Sequence, residues 1–168
     1  MLKKLVIAAV ATVLIFLAMR WQGQPLITDQ SPAGIVSFEL AKTLEQATTI
    51  IAAAGKTNLQ INIIIDFLFI LAYTSFFVFC CRALIDSYRL PDLKNMSAVF
   101  LRLSIVAGFL DFIENVAMLV TLGGYGSDTS VLVTSWAAII KFALAALIIV
   151  YILIAAFVVL TTSKKSYK

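Results

Sequence analysis

Four ionisable side chains interrupt otherwise hydrophobic segments of this chain: Asp66, Asp111, Glu114 and Lys141. A charged residue at mid-span costs about 2.5–3.5 kcal/mol on an insertion scale, so such residues usually pair and often have a function. Carboxyl and amine groups can bind a polar or cationic group or transfer a proton. These four are therefore the candidate catalytic residues. If the protein is an enzyme, the chemistry most compatible with them is proton-transfer isomerisation or hydrolysis of a lipid.

Other polar residues fall on the same helical faces. Asn62, Asp66 and Tyr73 have the spacing i, i+4, i+11, which places them on one side of a helix. Asn115 follows Asp111 by one turn, and Gly108, one turn earlier, would let a neighbouring helix approach closely. The predicted ligand-binding residues are Asn62, Asp66, Tyr73, Asp111, Glu114, Asn115 and Lys141.

The segments around these residues are suited to a bilayer. Hydrophobic residues make up 62% of the 168 residues and charged residues 13%, whereas soluble domains are about half apolar and a quarter charged. We predict an all-α membrane protein, a bundle of four transmembrane helices at about 3–21, 59–81, 97–122 and 131–160, forming a single domain over 1–168. A short polar loop is expected over 82–96, and the first helix is expected to be a packing or lipid-facing wall.

Residues 35–54 have helical periodicity but are too polar to span, so we predict one amphipathic helix that lies in the interface or caps the bundle. Leu40 falls on its apolar stripe and Glu39 on its polar side. Glu39 has two interpretations. It pairs with Lys42 at i+3 on a solvated face, or it reaches into the buried site as part of a lid.

Lys and Arg set the predicted orientation. Eight of them lie on one side of the predicted spans and three on the other, which places both termini in the cytoplasm and the amphipathic helix outside. The eight are Lys3, Lys4, Arg82, Arg89, Lys94, Lys164, Lys165 and Lys168, against Arg20, Lys42 and Lys56. Arg102 lies five residues into its span and is expected to snorkel to the cytoplasm.

Composition narrows the chemistry. The absence of histidine excludes a Ser-His-Asp triad and imidazole-ligated zinc or haem. No cofactor and no metal are expected, and there is no basic run with interleaved aromatics that would bind nucleic acid. The adjacent Cys80 and Cys81 are expected to be unpaired apolar residues.

The predicted spans place the four ionisable residues at similar depths, about 10–16 Å from the outer ends. Three acids against one base would give the site a charge of −2, which a low-dielectric environment disfavours. Protonated carboxyls, a bound cation, a cationic ligand or Arg102 would compensate. We predict that at least one of Asp66, Asp111 and Glu114 is protonated at neutral pH.

Residues 32–41, residues 66–69 with Tyr73, residues 111–115 and the lone Lys141 together resemble a group of uncharacterised four-helix bacterial inner-membrane proteins. The resemblance covers nearly the whole chain, implies a bacterial inner-membrane setting and carries no activity. The architecture is also broadly similar to EXPERA-type sterol isomerases and lipid binders, but this chain has no histidine of the kind those isomerases use.

Three functions stay open. The first is a site for a lipid or small polar or cationic molecule, within a bundle whose other partner is the lipid bilayer. The second is a proton- or cation-conducting subunit of a homo-oligomer. The third is an assembly partner of another membrane protein.

Overall fold

The computed structural model describes residues 1–88 and 91–163. Six α-helices follow one another: α1 (Leu2–Gln22), α2 (Ile35–Glu39), α3 (Leu44–Ala54), α4 (Lys56–Ser87), α5 (Pro91–Val120) and α6 (Asp128–Ser163). A 3₁₀ turn at Gln24–Leu26 follows α1, and a π-helical turn at Thr121–Tyr125 follows α5. In this part of the chain α1, α4, α5 and α6 are long and apolar enough to cross a membrane. The predicted all-α class and the four long helices are confirmed.

The long helices extend beyond the predicted spans. The predicted loop over 82–96 is wrong for most of its length, because α4 continues to Ser87 and α5 begins at Pro91. Arg82 and Asp86 form an i, i+4 ion pair of 3.9 Å on the last turns of α4, and proline is favoured at the first position of a helix such as α5. Arg89, Lys164, Lys165 and Lys168, which entered the predicted orientation, lie outside the described residues.

Helices α4, α5 and α6 form the centre of the bundle, and α1 packs along α4. Ala8 is the one buried residue of α1, while its large apolar side chains are exposed. An exposed apolar helix is stable in lipid, so this arrangement agrees with the expectation that α1 is a peripheral wall. The chain between α1 and α4 and the π-helical turn lie at the same end of the bundle, which we call the capped end.

Two apolar clusters enclose a polar layer along the bundle axis. The capped-end cluster contains Leu59 and Ile63 of α4, Met118 of α5 and Val131 of α6, covered by residues of α2 and α3. The mid-bundle cluster contains the buried side chains of α4, α5 and α6 that lie farther from the cap: Ile70, Tyr73, Phe77, Ala107 and Ile148. Asp66, Asp111, Glu114 and Lys141 lie between these two clusters in each helix sequence.

The predicted single helix over 35–54 is interrupted. Helix α2 ends at Glu39, and α3 starts after Thr43, whose hydroxyl accepts a hydrogen bond from the Gln46 amide at 3.2 Å. The interruption rotates α2 relative to α3. As a result Glu39, predicted on the polar side, is buried, and Leu40, predicted on the apolar stripe, is exposed.

Candidate functional site

Lys141 is the centre of the buried polar layer. It projects from the middle of α6, and its ammonium group lies 2.5 Å from Oδ1 of Asp111 and 2.9 Å from Oε1 of Glu114. A third carboxylate oxygen, Oε2 of Glu39, is 3.7 Å away. All four side chains are buried. We call Glu39, Asp66, Asp111, Glu114 and Lys141 the acid–lysine cluster.

Asp111 and Glu114 reach the same ammonium because residues three apart on a helix point in similar directions. The second oxygen of Asp111 accepts a hydrogen bond of 2.9 Å from the Tyr73 hydroxyl of α4. Gly108, one turn before Asp111, brings the two helices together, since any Cβ at this position would clash with the Thr74 hydroxyl. The predicted role of Gly108 in close helix approach is thereby confirmed.

Asp66 lies next to this centre without contacting Lys141. Its Oδ2 accepts a hydrogen bond of 2.8 Å from the Asn115 amide on α5. The structure therefore joins six predicted site residues into two adjacent units. One unit is Lys141 with Asp111, Glu114 and Tyr73, and the other is the Asp66–Asn115 pair.

Asn62 is placed elsewhere. Its amide donates to Oε1 of Gln22 at 2.5 Å and to the Met19 carbonyl at 3.3 Å, so it fastens α4 to the end of α1. No role for Gln22 was predicted from the sequence. The available signal was the position of Gln22, a polar residue directly after the predicted first span of residues 3–21.

Glu39 enters the acid–lysine cluster, and its predicted pairing with Lys42 on a solvated face is wrong. The side chain is 6% exposed and lies beside Glu114 and Lys141. Burial raises the pKa of Glu39, and the nearby Lys141 only partly opposes this effect. Lys42 instead donates to the Ser135 hydroxyl at 2.7 Å, with its ammonium 5.8 Å from the ring centre of the exposed Trp136.

Arg102 is exposed on α5, as expected of a snorkelling side chain, and no ion pair joins it to the acid–lysine cluster among the described residues. The cysteines are free, with Cys81 buried and Cys80 half-buried. No group of three or more potential metal ligands of the Asp, Glu, Cys or His types is arranged around a common point in residues 1–88 and 91–163. Among the described residues, Lys141 is the cation that pairs with the carboxyls of the cluster.

Buried oxygen atoms without hydrogen bonds concentrate around the cluster. Within the described residues they include Oε2 of Glu39, Oε2 of Glu114 and Oδ1 of Asn115, with Oδ1 of Asn62 a turn away. Each is an acceptor when the carboxyls are ionised. An unpaired buried acceptor lowers the free energy of unfolding by about 1–3 kcal/mol. Additional hydrogen-bond donors at the cluster would therefore be stabilising.

Two surface cavities formed by described residues lie away from this cluster. One, of about 420 Å³, lies along the outer side of α2 and α3 near Glu45 and Gln46. The other, of about 310 Å³, is an apolar groove between α5 and α6 near Phe100 and Tyr151. The acid–lysine cluster is thus closed off from both cavities, and Glu39 is its contact with the chain outside the long helices.

Comparison with known proteins gives no family assignment: no family model matches the chain, and neither a curated protein nor a solved structure matches it significantly.

Proposed function

We propose that this multi-pass membrane protein binds the cationic, hydrogen-bond-donating group of a lipid or small molecule at the acid–lysine cluster. The observation that carries the proposal is the surplus of buried acceptors around Lys141. The ammonium of Lys141 is already used by Asp111 and Glu114, while Oε2 of Glu39 and Oε2 of Glu114 have no donor in the described chain.

Charge leads to the same ligand class. Four carboxyls face one ammonium, which gives a net charge of −3 if all are ionised. A primary ammonium group supplies one positive charge and three donors, and it would satisfy both needs together. In its absence protons must take over part of this compensation, because a buried excess of negative charge is strongly disfavoured.

The enclosing apolar clusters favour binding over conduction. A conducting path would continue from Asp111 and Lys141 towards the far end of the bundle. The buried side chains in that direction are mostly apolar, among them Phe77, Ala107 and Ile148 of the mid-bundle cluster, with the hydroxyl-bearing Ser104 buried on α5. The Ser104 hydroxyl donates to the Phe100 carbonyl of its own helix, so this mostly apolar layer offers few groups that could carry a proton or an ion. Access from the capped end, where Glu39 lies, fits a binding site with one entrance.

The proposed orientation puts the capped end outside the cell and both termini in the cytoplasm. It rests on the distribution of Lys and Arg along the sequence. A lipid headgroup or a soluble amine would then approach the cluster from the outer leaflet side. Lys141 would hold Asp111 and Glu114 in position, and Tyr73 would orient Asp111.

Native mass spectrometry of the protein extracted from its membrane in mild detergent tests the proposal. Wild type is compared with Glu114→Gln and with Glu45→Gln, an exposed acid on α3 whose replacement changes the net charge equally. We expect an amine-containing mass on wild type and on Glu45→Gln, reduced at least tenfold on Glu114→Gln. The bound mass itself separates a lipid from a small soluble amine.

If the extracted protein is empty, stearylamine and stearyl alcohol are titrated against the same three proteins. We expect saturable binding of the amine to wild type and no matching binding of the alcohol. Equal binding of the two compounds, or amine binding that is unaffected by Glu114→Gln in a monodisperse sample, would refute the proposed ligand class.

A further inference from the structure

Glu39 closes the acid–lysine cluster from outside the four long helices. It is the last residue of α2, a helix of five residues, and its carboxyl is buried against the cluster. The charged groups that face it come from three helices. They are Lys141 of α6, Asp111 and Glu114 of α5, and more distantly Asp66 of α4.

The segment that carries Glu39 is a short helix between two breaks in the chain. It starts after Gly34, whose φ of 63° is a conformation that residues with a side chain rarely adopt. It ends where α3 begins, with its own capping residues. Between these points Phe38 and Ala41 are its buried apolar side chains, whereas α3 is fixed by Ala47, Ile50 and Ala54.

Polar contacts fasten the far end of this element to α6. The Lys42 ammonium donates to the Ser135 hydroxyl, and the Leu44 amide donates to Oδ1 of Asp128 at 2.7 Å. Lys42 and Asp128 are exposed, so water can replace their side of these contacts, whereas the Ser135 hydroxyl is buried. The buried Glu39 is therefore the contact whose state matters most for closure.

We propose that residues 35–43 form a proton-controlled gate over the acid–lysine cluster, closed while Glu39 carries a proton and released when Glu39 ionises. The inference rests on the proposed function in one respect, since the gate would control entry of the cationic group to that site. The motion itself requires no ligand. A protonated Glu39 can donate a hydrogen bond to a neighbouring carboxylate, whereas an ionised Glu39 adds a further negative charge beside Asp111 and Glu114.

The direction of the pH effect follows from linkage. Burial raises the pKa of Glu39 in the closed gate, and in the open gate the carboxyl returns to its ordinary value near 4.5. The closed form therefore binds the proton more tightly. The stabilisation of the closed form by this proton is complete below the open-state pKa, and it is lost as the pH rises through the closed-state pKa. A cation that enters the cluster would take the place of this proton, so binding would release it.

Hydrogen–deuterium exchange of the full chain in detergent, without added ligand, tests the gate. The exchange of peptides covering residues 35–43 is compared at pH 6 and pH 9 in wild type and in Glu39→Gln, which has nearly the same shape and cannot ionise. The ratio of the two proteins at each pH removes the intrinsic pH dependence of amide exchange. Peptides covering 44–54 report on α3 as an internal control.

We expect the wild-type exchange of residues 35–43, relative to Glu39→Gln, to rise at least tenfold from pH 6 to pH 9, with residues 44–54 unchanged. A ratio that does not change with pH would overturn the gate, and so would a matching rise in 44–54, which would mean unfolding of the whole cap.

Lys42→Met supplies a second check. Exchange of residues 35–43 should increase at both pH values, and its dependence on pH should persist. Loss of that dependence would overturn the role of Glu39. None of these results depends on whether an amine binds.

Discussion

Replacement of Lys141 by methionine tests the charge balance of the site most directly. Methionine keeps much of the length of the lysine stem and removes the ammonium group. The variant loses two hydrogen bonds to carboxylates, those to Asp111 at 2.5 Å and Glu114 at 2.9 Å, and leaves the buried acids without their cation. Hydrogen bonds to charged groups contribute about 1.5–3 kcal/mol each, and removal of one partner of a buried ion pair costs about 3–5 kcal/mol. We expect a loss of about 3–5 kcal/mol in the free energy of unfolding.

The measurement is an SDS titration in mixed micelles, followed by circular dichroism. Reaction of the buried Cys81 with a thiol-reactive fluorophore is a second probe, in a background where the half-buried Cys80 is alanine. Lys56→Met is the matched control because Lys56 is exposed at the start of α4, and it should change stability by less than about 0.5 kcal/mol.

The same titration on a double variant separates charge from shape. Adding Asp111→Asn to Lys141→Met removes one of the orphaned carboxylates, so part of the lost stability should return. The reasoning would be refuted if Lys141→Met unfolded with a free energy within about 1 kcal/mol of wild type, since a buried cation of this kind cannot be removed so cheaply. It would also fail if the double variant were less stable than the sum of the two single changes.

Three further predictions use the same purified protein. Tyr73→Phe should lower the free energy of unfolding by about 1.5–3 kcal/mol, because Asp111 loses the hydroxyl that donates to it, and the exposed Tyr125→Phe should have no measurable effect. Gly108→Ala should cost about 1–3 kcal/mol by overpacking against Thr74, and adding Thr74→Ala should restore most of it; no recovery would contradict close packing as the cause. Infrared difference spectra at neutral pH should lose a carboxylic-acid band in at least one of three neutralised variants, because the cluster holds more acids than cations; an unchanged spectrum in all three would show that these three carboxyls are ionised. The three are Asp66→Asn, Asp111→Asn and Glu114→Gln.

Much of the polar layer could be predicted before the fold was known. The length of each apolar segment fixes how far a residue lies from the helix end, and the helical repeat fixes which residues share a face. These two rules were sufficient to place Asp111, Glu114 and Lys141 at one depth. Gly108 could also be predicted as a point of close helix approach, because that property depends only on the absence of a side chain.

The interruption before α3 has a local signal in the sequence that was not part of the prediction. Thr43 followed by Gln46 is a capping-box spacing, typical of a helix that starts after the threonine. In the structure the Gln46 side chain accepts from the Lys42 amide at 2.8 Å, and the Thr43 hydroxyl accepts from the Gln46 amide. Because α3 starts at residue 44, Glu39 does not follow the helical register of α3. It therefore does not lie on the polar face that one continuous helix would have given it.

The sequence by itself determined that the chain is helical, that four of its helices are long and apolar enough to cross a membrane, and that acids and a lysine share one level of the bundle. The tertiary structure decided which partner each polar group has. Asp66 pairs with Asn115 instead of Lys141, Asn62 binds Gln22 of α1, and Glu39 joins the cluster from the cap. The physical reason is that hydropathy and periodicity act within one segment, whereas the choice of partner depends on how neighbouring helices are rotated and offset. That choice is made by packing between residues far apart in the chain.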